Sequence, residues 1–151
     1  MPQTLGISED IYRARIEKLR EVMKEFGLAA VVLEPGPAML YLTGVRWGRS
    51  ERTFVLVVPA KGELTFVLPG FEEMRARELI RGRAGIRVWQ EDESPYLQIV
   101  QTLKDRGIAS GRIGMDATAR FFVFDGIRKL APQFDYVSAE TVLQSAGAGR
   151  P

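Results

Sequence analysis

The chain has 151 residues, 46% of them hydrophobic, with 21 basic and 19 acidic side chains and a formal net charge of +2. It contains no cysteine and no histidine, which excludes disulfides, thiolate nucleophiles, Ser-His-Asp triads, histidine-based zinc sites and imidazole bases. The near-neutral balance argues against bulk nucleic-acid binding, and no run of about 18 apolar residues marks a membrane span.

The first element in chain order is an amphipathic helix over residues 8–26, with Ile16, Leu19, Met23 and Phe26 on one stripe. Ser8 is placed to cap it, Glu9 and Asp10 suit its positive end, and Gly27 suits its stop. No apolar h-region precedes this helix, so a cytoplasmic protein is expected. "LAAVVLE" (28–34) is a continuous apolar run, as expected of a strand covered on both faces. "PGP" then turns the chain, and "AMLYLTG" predicts one or two helical turns ending at Gly44.

"TFVLVVP" (53–59) and "ELTFVLP" (63–69), separated by "AKG", predict a hairpin. A second helix is predicted over 70–82, with Glu72 and Glu73 in its first turn and Arg81 in its last. "GIRVWQ" (85–90) follows as a strand, then a helix over 94–107 with Ser94 at the N-cap and Pro95 at its first position. "GRIGMD" (111–116) predicts a strand, 118–132 a helix capped by Thr118, "FDYVS" (134–138) a last strand and "SAETVLQSA" a last short helix. The tail "GAGRP" (147–151) reads as a flexible linker from about Ala146 onward. Strands alternating with helices, plus one hairpin, give an α/β fold with a mixed β-sheet flanked by helices and a single domain over 1–151.

Without Cys or His, chemistry here would have to run on carboxylates, Lys, Tyr, Ser or Thr. Glu91, Asp92 and Glu93 are consecutive, so they cannot all turn to one cation without a tight turn; a solvated loop ahead of Ser94 is the simpler reading. "GAGRP" lacks the strand and helix that a phosphate loop needs. The arginines of "MRARELIRGRAGIR" (74–87) read as a solvated helix face. Tyr12, Tyr41, Tyr96 and Tyr136 read as core or core-edge residues.

One stretch stands apart. Arg46, Arg49 and Arg52 surround Trp47 between the short helix and the hairpin, and Gly44 and Gly48 flank the indole. An aromatic among guanidiniums suits carboxylate recognition, stacking or a subunit contact. An indole lying back on the core with the arginines in water fits the same residues, and the residues alone leave both readings open.

"PAMLYLTG", followed by "RSERTFVLVVPAKGELTFVLPGFEE" and later by "GRIGMD", resembles the N-terminal domain of the prolidase, Xaa-Pro aminopeptidase and creatinase group over nearly the whole chain. The resemblance implies the front part of a two-domain, metal-dependent Xaa-Pro peptidase. Its C-terminal pita-bread catalytic domain would carry two divalent ions (Mn, Co or Zn) on Asp, Asp, His, Glu and Glu ligands. No catalytic or metal-binding residue transfers to this chain, and no cofactor is expected in it. The resemblance further implies a homodimer in which a loop of this domain limits access to the active site, and it assigns that role to Arg46, Trp47, Arg49 and Arg52. A free-standing interaction or peptide-binding domain without catalysis is the alternative. A reading frame that continues past Pro151 into the ligand set would favour the enzyme; a stop would favour the free-standing domain.

Overall fold

A computed structural model describes residues 8–148. Helix α1 (Glu9–Phe26) leads into strand β1 (Leu28–Leu33), short helix α2 (Pro37–Thr43), and the hairpin strands β2 (Val55–Pro59) and β3 (Thr65–Pro69). A single 3-10 turn (Gly70–Glu72) precedes α3 (Glu73–Ile80), followed by β4 (Gly85–Trp89) and α4 (Pro95–Asp105). Strand β5 (Gly111–Met115), helix α5 (Phe121–Leu130), strand β6 (Phe134–Ser138) and helix α6 (Glu140–Ser145) complete the chain.

The strands form one mixed sheet in the order β4-β3-β2-β1-β5-β6. β2 is antiparallel to both of its neighbours, while β3 with β4, β1 with β5, and β5 with β6 are parallel. All strands except β2 therefore point the same way. Their carboxyl ends, together with the start of β2, lie along one edge of the sheet.

The continuous apolar runs are explained by helices on both faces. Val31 and Leu33 of β1, Leu56 and Val58 of β2 and Phe66 and Leu68 of β3 pack with Leu19 and Met23 of α1 and Ile80 of α3. The alternate residues Ala30, Val32, Val55, Val57 and Val67 face Ile99 and Leu103 of α4 and Val123 and Ile127 of α5. A period of two carries successive side chains to opposite cores. Gly27 closes α1 and Gly44 closes α2, with φ of 71° and 76°, in the left-handed region where only glycine is unstrained.

Several local expectations are corrected. Ser8 occupies the N-cap of α1, but its hydroxyl makes no cap hydrogen bond. Phe26 is 39% exposed, and Val22 takes its place on the buried stripe. The predicted 70–82 helix divides into the 3-10 turn and α3, and Arg81 lies past its end in a left-handed conformation. Thr118 does not cap α5, which starts three residues later; its N–H and hydroxyl both donate to Asp116 Oδ1 instead. The start of the expected linker is packed: Ala146 and Ala148 are buried, and the Ala148 N–H donates to Leu143 O at 2.7 Å. Residues 149–151 of that linker lie outside the described residues. Ser94 does cap α4, accepting from the Leu97 N–H at 3.2 Å.

Candidate functional site

The segment 44–52 lies at the sheet edge where the parallel strands end, because it feeds the one strand that runs the other way. Its entry is fixed by Thr43, whose hydroxyl donates to Met39 O at 2.7 Å and accepts from the Val45 N–H at 3.3 Å. Val45 is buried. Gly44 supplies the left-handed turn, whereas Gly48 does not use the left-handed region.

Trp47 lies back on the core. Its ring stacks on Phe54 at 4.5 Å between centroids and 25° between planes, and Phe54 meets Phe66 edge-on. The Arg75 guanidinium covers the indole at 4.4 Å from the ring centroid. The tryptophan is thus half-buried between an aromatic ring and a cation. Arg75 belongs to the stretch read as a solvated face, so part of that arginine-rich run is committed to holding this loop.

The three arginines do not converge. Arg46 is exposed, without a polar partner among the described residues. Arg52 pairs with Glu91 and lies over Phe71 at 4.9 Å, so it ties the loop to the turns after β3 and β4. Arg49 turns inward. Its Nε donates to Pro35 O at 2.8 Å, one terminal nitrogen to Thr118 O at 2.7 Å and the other to Thr118 Oγ1 at 2.7 Å.

Arg49 is one corner of a cluster that motif reading missed. Glu34, directly after β1, is 2% exposed. Its Oε1 accepts from the Arg120 guanidinium at 2.6 Å and its Oε2 from the Arg120 backbone N–H at 2.8 Å. Asp116, directly after β5, accepts from the Glu34 N–H at 3.1 Å. Arg49 lies 3.6 Å from each carboxylate. Two carboxylates and two guanidiniums leave the cluster formally neutral. All four carboxylate oxygens of Glu34 and Asp116 already accept hydrogen bonds, so the cluster offers no free general base. Its effect is mechanical: it fastens the loop to the ends of β1 and β5 and to the start of α5. The only sequence signal was an acidic residue at the end of each apolar strand, in "VVLE" and "GMD".

Large apolar side chains stand exposed on both sides of this edge. Phe71 and Met74 are 64% and 82% exposed near the Trp47–Arg75 stack, and Phe121 is 67% exposed at the start of α5. Glu93 accepts from the Gln90 N–H at 2.7 Å and closes its own turn. No three acidic groups come together as a metal site among the described residues. No helix among them is long and apolar enough to cross a membrane.

Comparison with known proteins follows the fold. An uncharacterized peptidase of Schizosaccharomyces pombe is 29% identical over 140 residues, covering 83% of this chain and 30% of that protein. A dipeptidase structure from Pyrococcus horikoshii is 29% identical with a TM-score of 0.75, over 86% of this chain and 35% of that one. A prolidase structure from Thermococcus sibiricus is 26% identical with a TM-score of 0.79, over 91% and 36%. The chain thus spans about a third of the length of these relatives. Residues 15–146 match the Creatinase/Prolidase N-terminal domain, and the chain belongs to that family.

Proposed function

We propose that this domain is the non-catalytic N-terminal part of an Xaa-Pro dipeptidase or aminopeptidase. The observation that carries the reading is one of coverage. Similarity runs through most of this chain but through only about a third of a dipeptidase and a prolidase, so the remaining length is where the reaction belongs. In this reading a C-terminal pita-bread domain follows, holds two divalent ions (Mn, Co or Zn), and pairs with a second copy as a homodimer.

The residues of this chain do not fit those ions. It has no His or Cys, and among its described residues no acidic cluster has the grouping an ion needs. Ligands are therefore assigned to the catalytic domain.

The role of the present domain is to shape access. The 44–52 loop is fastened by Arg49 and Arg52 and stiffened by the Trp47 stack, which suits a wall that must keep its position. Arg46 is the cation of the loop left to meet a substrate carboxylate or an acidic group of the partner copy. The direct test compares two proteins. The 151-residue chain should not hydrolyse Xaa-Pro dipeptides or tripeptides with Mn²⁺, Co²⁺ or Zn²⁺, whereas a form carrying the catalytic domain should. Metal-dependent turnover by the purified chain would overturn this reading. In the two-domain form, Arg46→Ala should raise KM or relax length selectivity by about tenfold, or roughly 1.4 kcal/mol, with little change in melting temperature.

A further inference from the structure

A groove of about 480 Å³ lies between α1 and the turn that joins α3 to β4. It is within the size range of small-molecule sites. Arg13 and Arg20 line it from α1, and Arg81 and Arg83 from the turn, against the carboxylates of Glu9 and Glu17. Four cations less two anions give a lining charge of +2, equal to the net charge of the whole chain. Ile16, Leu42 and Leu64 contribute apolar surface. The groove thus offers cationic recognition beside an apolar wall.

The guanidiniums are not equally committed. Arg20 donates to Pro59 O at 3.1 Å and also to Gly62 O. Arg83 donates to Glu9 at 2.7 Å and to Leu79 O at 2.9 Å, and lies 4.8 Å from the Tyr12 ring centroid. These contacts fix two walls, yet the Arg83 Nε is buried without a hydrogen-bond partner. Arg13 pairs only with Asp10, and both side chains are well exposed, so that pair is easily exchanged for another anion. The Arg81 side chain has no polar partner among the described residues.

Arg81 also has a φ of 54°, and it is the one non-glycine residue in the left-handed region among those described. It ends α3 at a position where glycine is the usual occupant. A side chain there is strained by contact between Cβ and the backbone. The strain is kept where it sets a guanidinium beside a cationic groove, and such outliers gather at ligand sites.

We propose that the groove binds a small organic oxyanion, a phosphate or carboxylate on an apolar body. Arg81 and Arg13 grip the anion against the fixed Arg83, and Ile16, Leu42 and Leu64 cover the body. The planar guanidinium fork matches either oxyanion in two-point contact.

Calorimetric titration of the 151-residue chain at low ionic strength tests this, with 1-naphthyl phosphate, 1-naphthoate, neutral 1-naphthol and inorganic phosphate as probes. At least one of the two naphthyl anions should saturate a single site, with a Kd of roughly 0.1–1 mM. 1-Naphthol and inorganic phosphate should each bind at least about tenfold more weakly, since each has half of the recognition. Arg81→Gly should weaken the anion by about tenfold while leaving the melting temperature unchanged or raised, because glycine relieves the strained φ. Arg13→Gln, on an exposed helix face, should weaken it without altering the fold and serves as the second variant. The proposal is overturned by the absence of saturable binding for both anions, by equal affinity for 1-naphthol, or by unchanged affinity in both variants.

Discussion

Arg120 closes on the Glu34 carboxylate from two sides, with its guanidinium 2.6 Å from Oε1 and its own backbone N–H 2.8 Å from Oε2. The pair is unequal, because the side chain of Glu34 is 1% exposed and that of Arg120 29%. Losing the arginine strands a buried charge; losing the glutamate leaves a cation that can turn to water. Arg120→Ala should therefore cost about 3 kcal/mol, at the low end for a stranded charge because Arg49 remains beside Glu34. Glu34→Ala should cost about 1.5–2 kcal/mol, the low end for lost charged hydrogen bonds. Urea unfolding of the two variants measures the difference, and equal costs would contradict the asymmetry.

Trp47→Ala should lower the stability of the domain by about 2 kcal/mol, less than the ~3–5 kcal/mol of a fully buried aromatic. The change removes the face that meets Phe54 and the ring that Arg75 covers. Arg75→Ala should cost only about 0.5–1 kcal/mol, the exposed cation–π share. Thermal unfolding of both variants checks the ranking. A Trp47→Ala variant that melted like the parent would mean that the stack contributes nothing.

Gly126 sits inside α5, where alanine would ordinarily be the better helix former by about 1 kcal/mol. Here a Cβ would come within 2.6 Å of the Tyr96 ring on α4, so the gain should reverse. Gly126→Ala is expected to destabilise by about 1–2 kcal/mol through overpacking. In a Tyr96→Ala background the same substitution should become neutral or stabilising. A double-mutant cycle reads that change of sign.

Burial pushes the Tyr136 phenol up to about 12 from its ordinary value of 10.0. Its hydroxyl donates to Ala131 O at 2.6 Å, so the folded state favours the neutral ring. With the folded value above the unfolded one, this contribution is complete below pH ~10 and is lost as pH rises toward ~12. Denaturation at stepped pH should show stability falling through that window, and the fall should be shallower in Tyr136→Phe. An ultraviolet titration in which all four tyrosines ionised together near pH ~10 would contradict the burial effect.

Elements that depend on local chemistry were legible in the sequence. Apolar runs marked strands buried on both faces, "AKG" marked the hairpin, and Gly44 and Ser94 marked helix boundaries. Contacts made over long separations were not. Glu34 and Arg120 are 86 positions apart and Glu34 and Asp116 82, so each carboxylate read alone as a strand end. Nothing around Trp47 indicated that its ring would be covered by Arg75 from helix α3. The tail departs from expectation for the opposite reason. Small residues look unable to bury anything, yet Ala146 and Ala148 fit a tight space because they are small.

The sheet order has a consequence for how the chain comes off the ribosome. β1 through β4 lie side by side in sequence order, so that those four of the six strands can assemble from residues 28–89 with mostly short connections. The opposite edge of β1 pairs only with β5, at 111–115. Until that strand emerges, an apolar strand destined for the interior keeps one row of amides and carbonyls unmatched, the condition in which edges attract other chains. During synthesis the most vulnerable interval is therefore the translation of α4 and the turn after it, when the first four strands can close and the β1 edge that awaits β5 is still open.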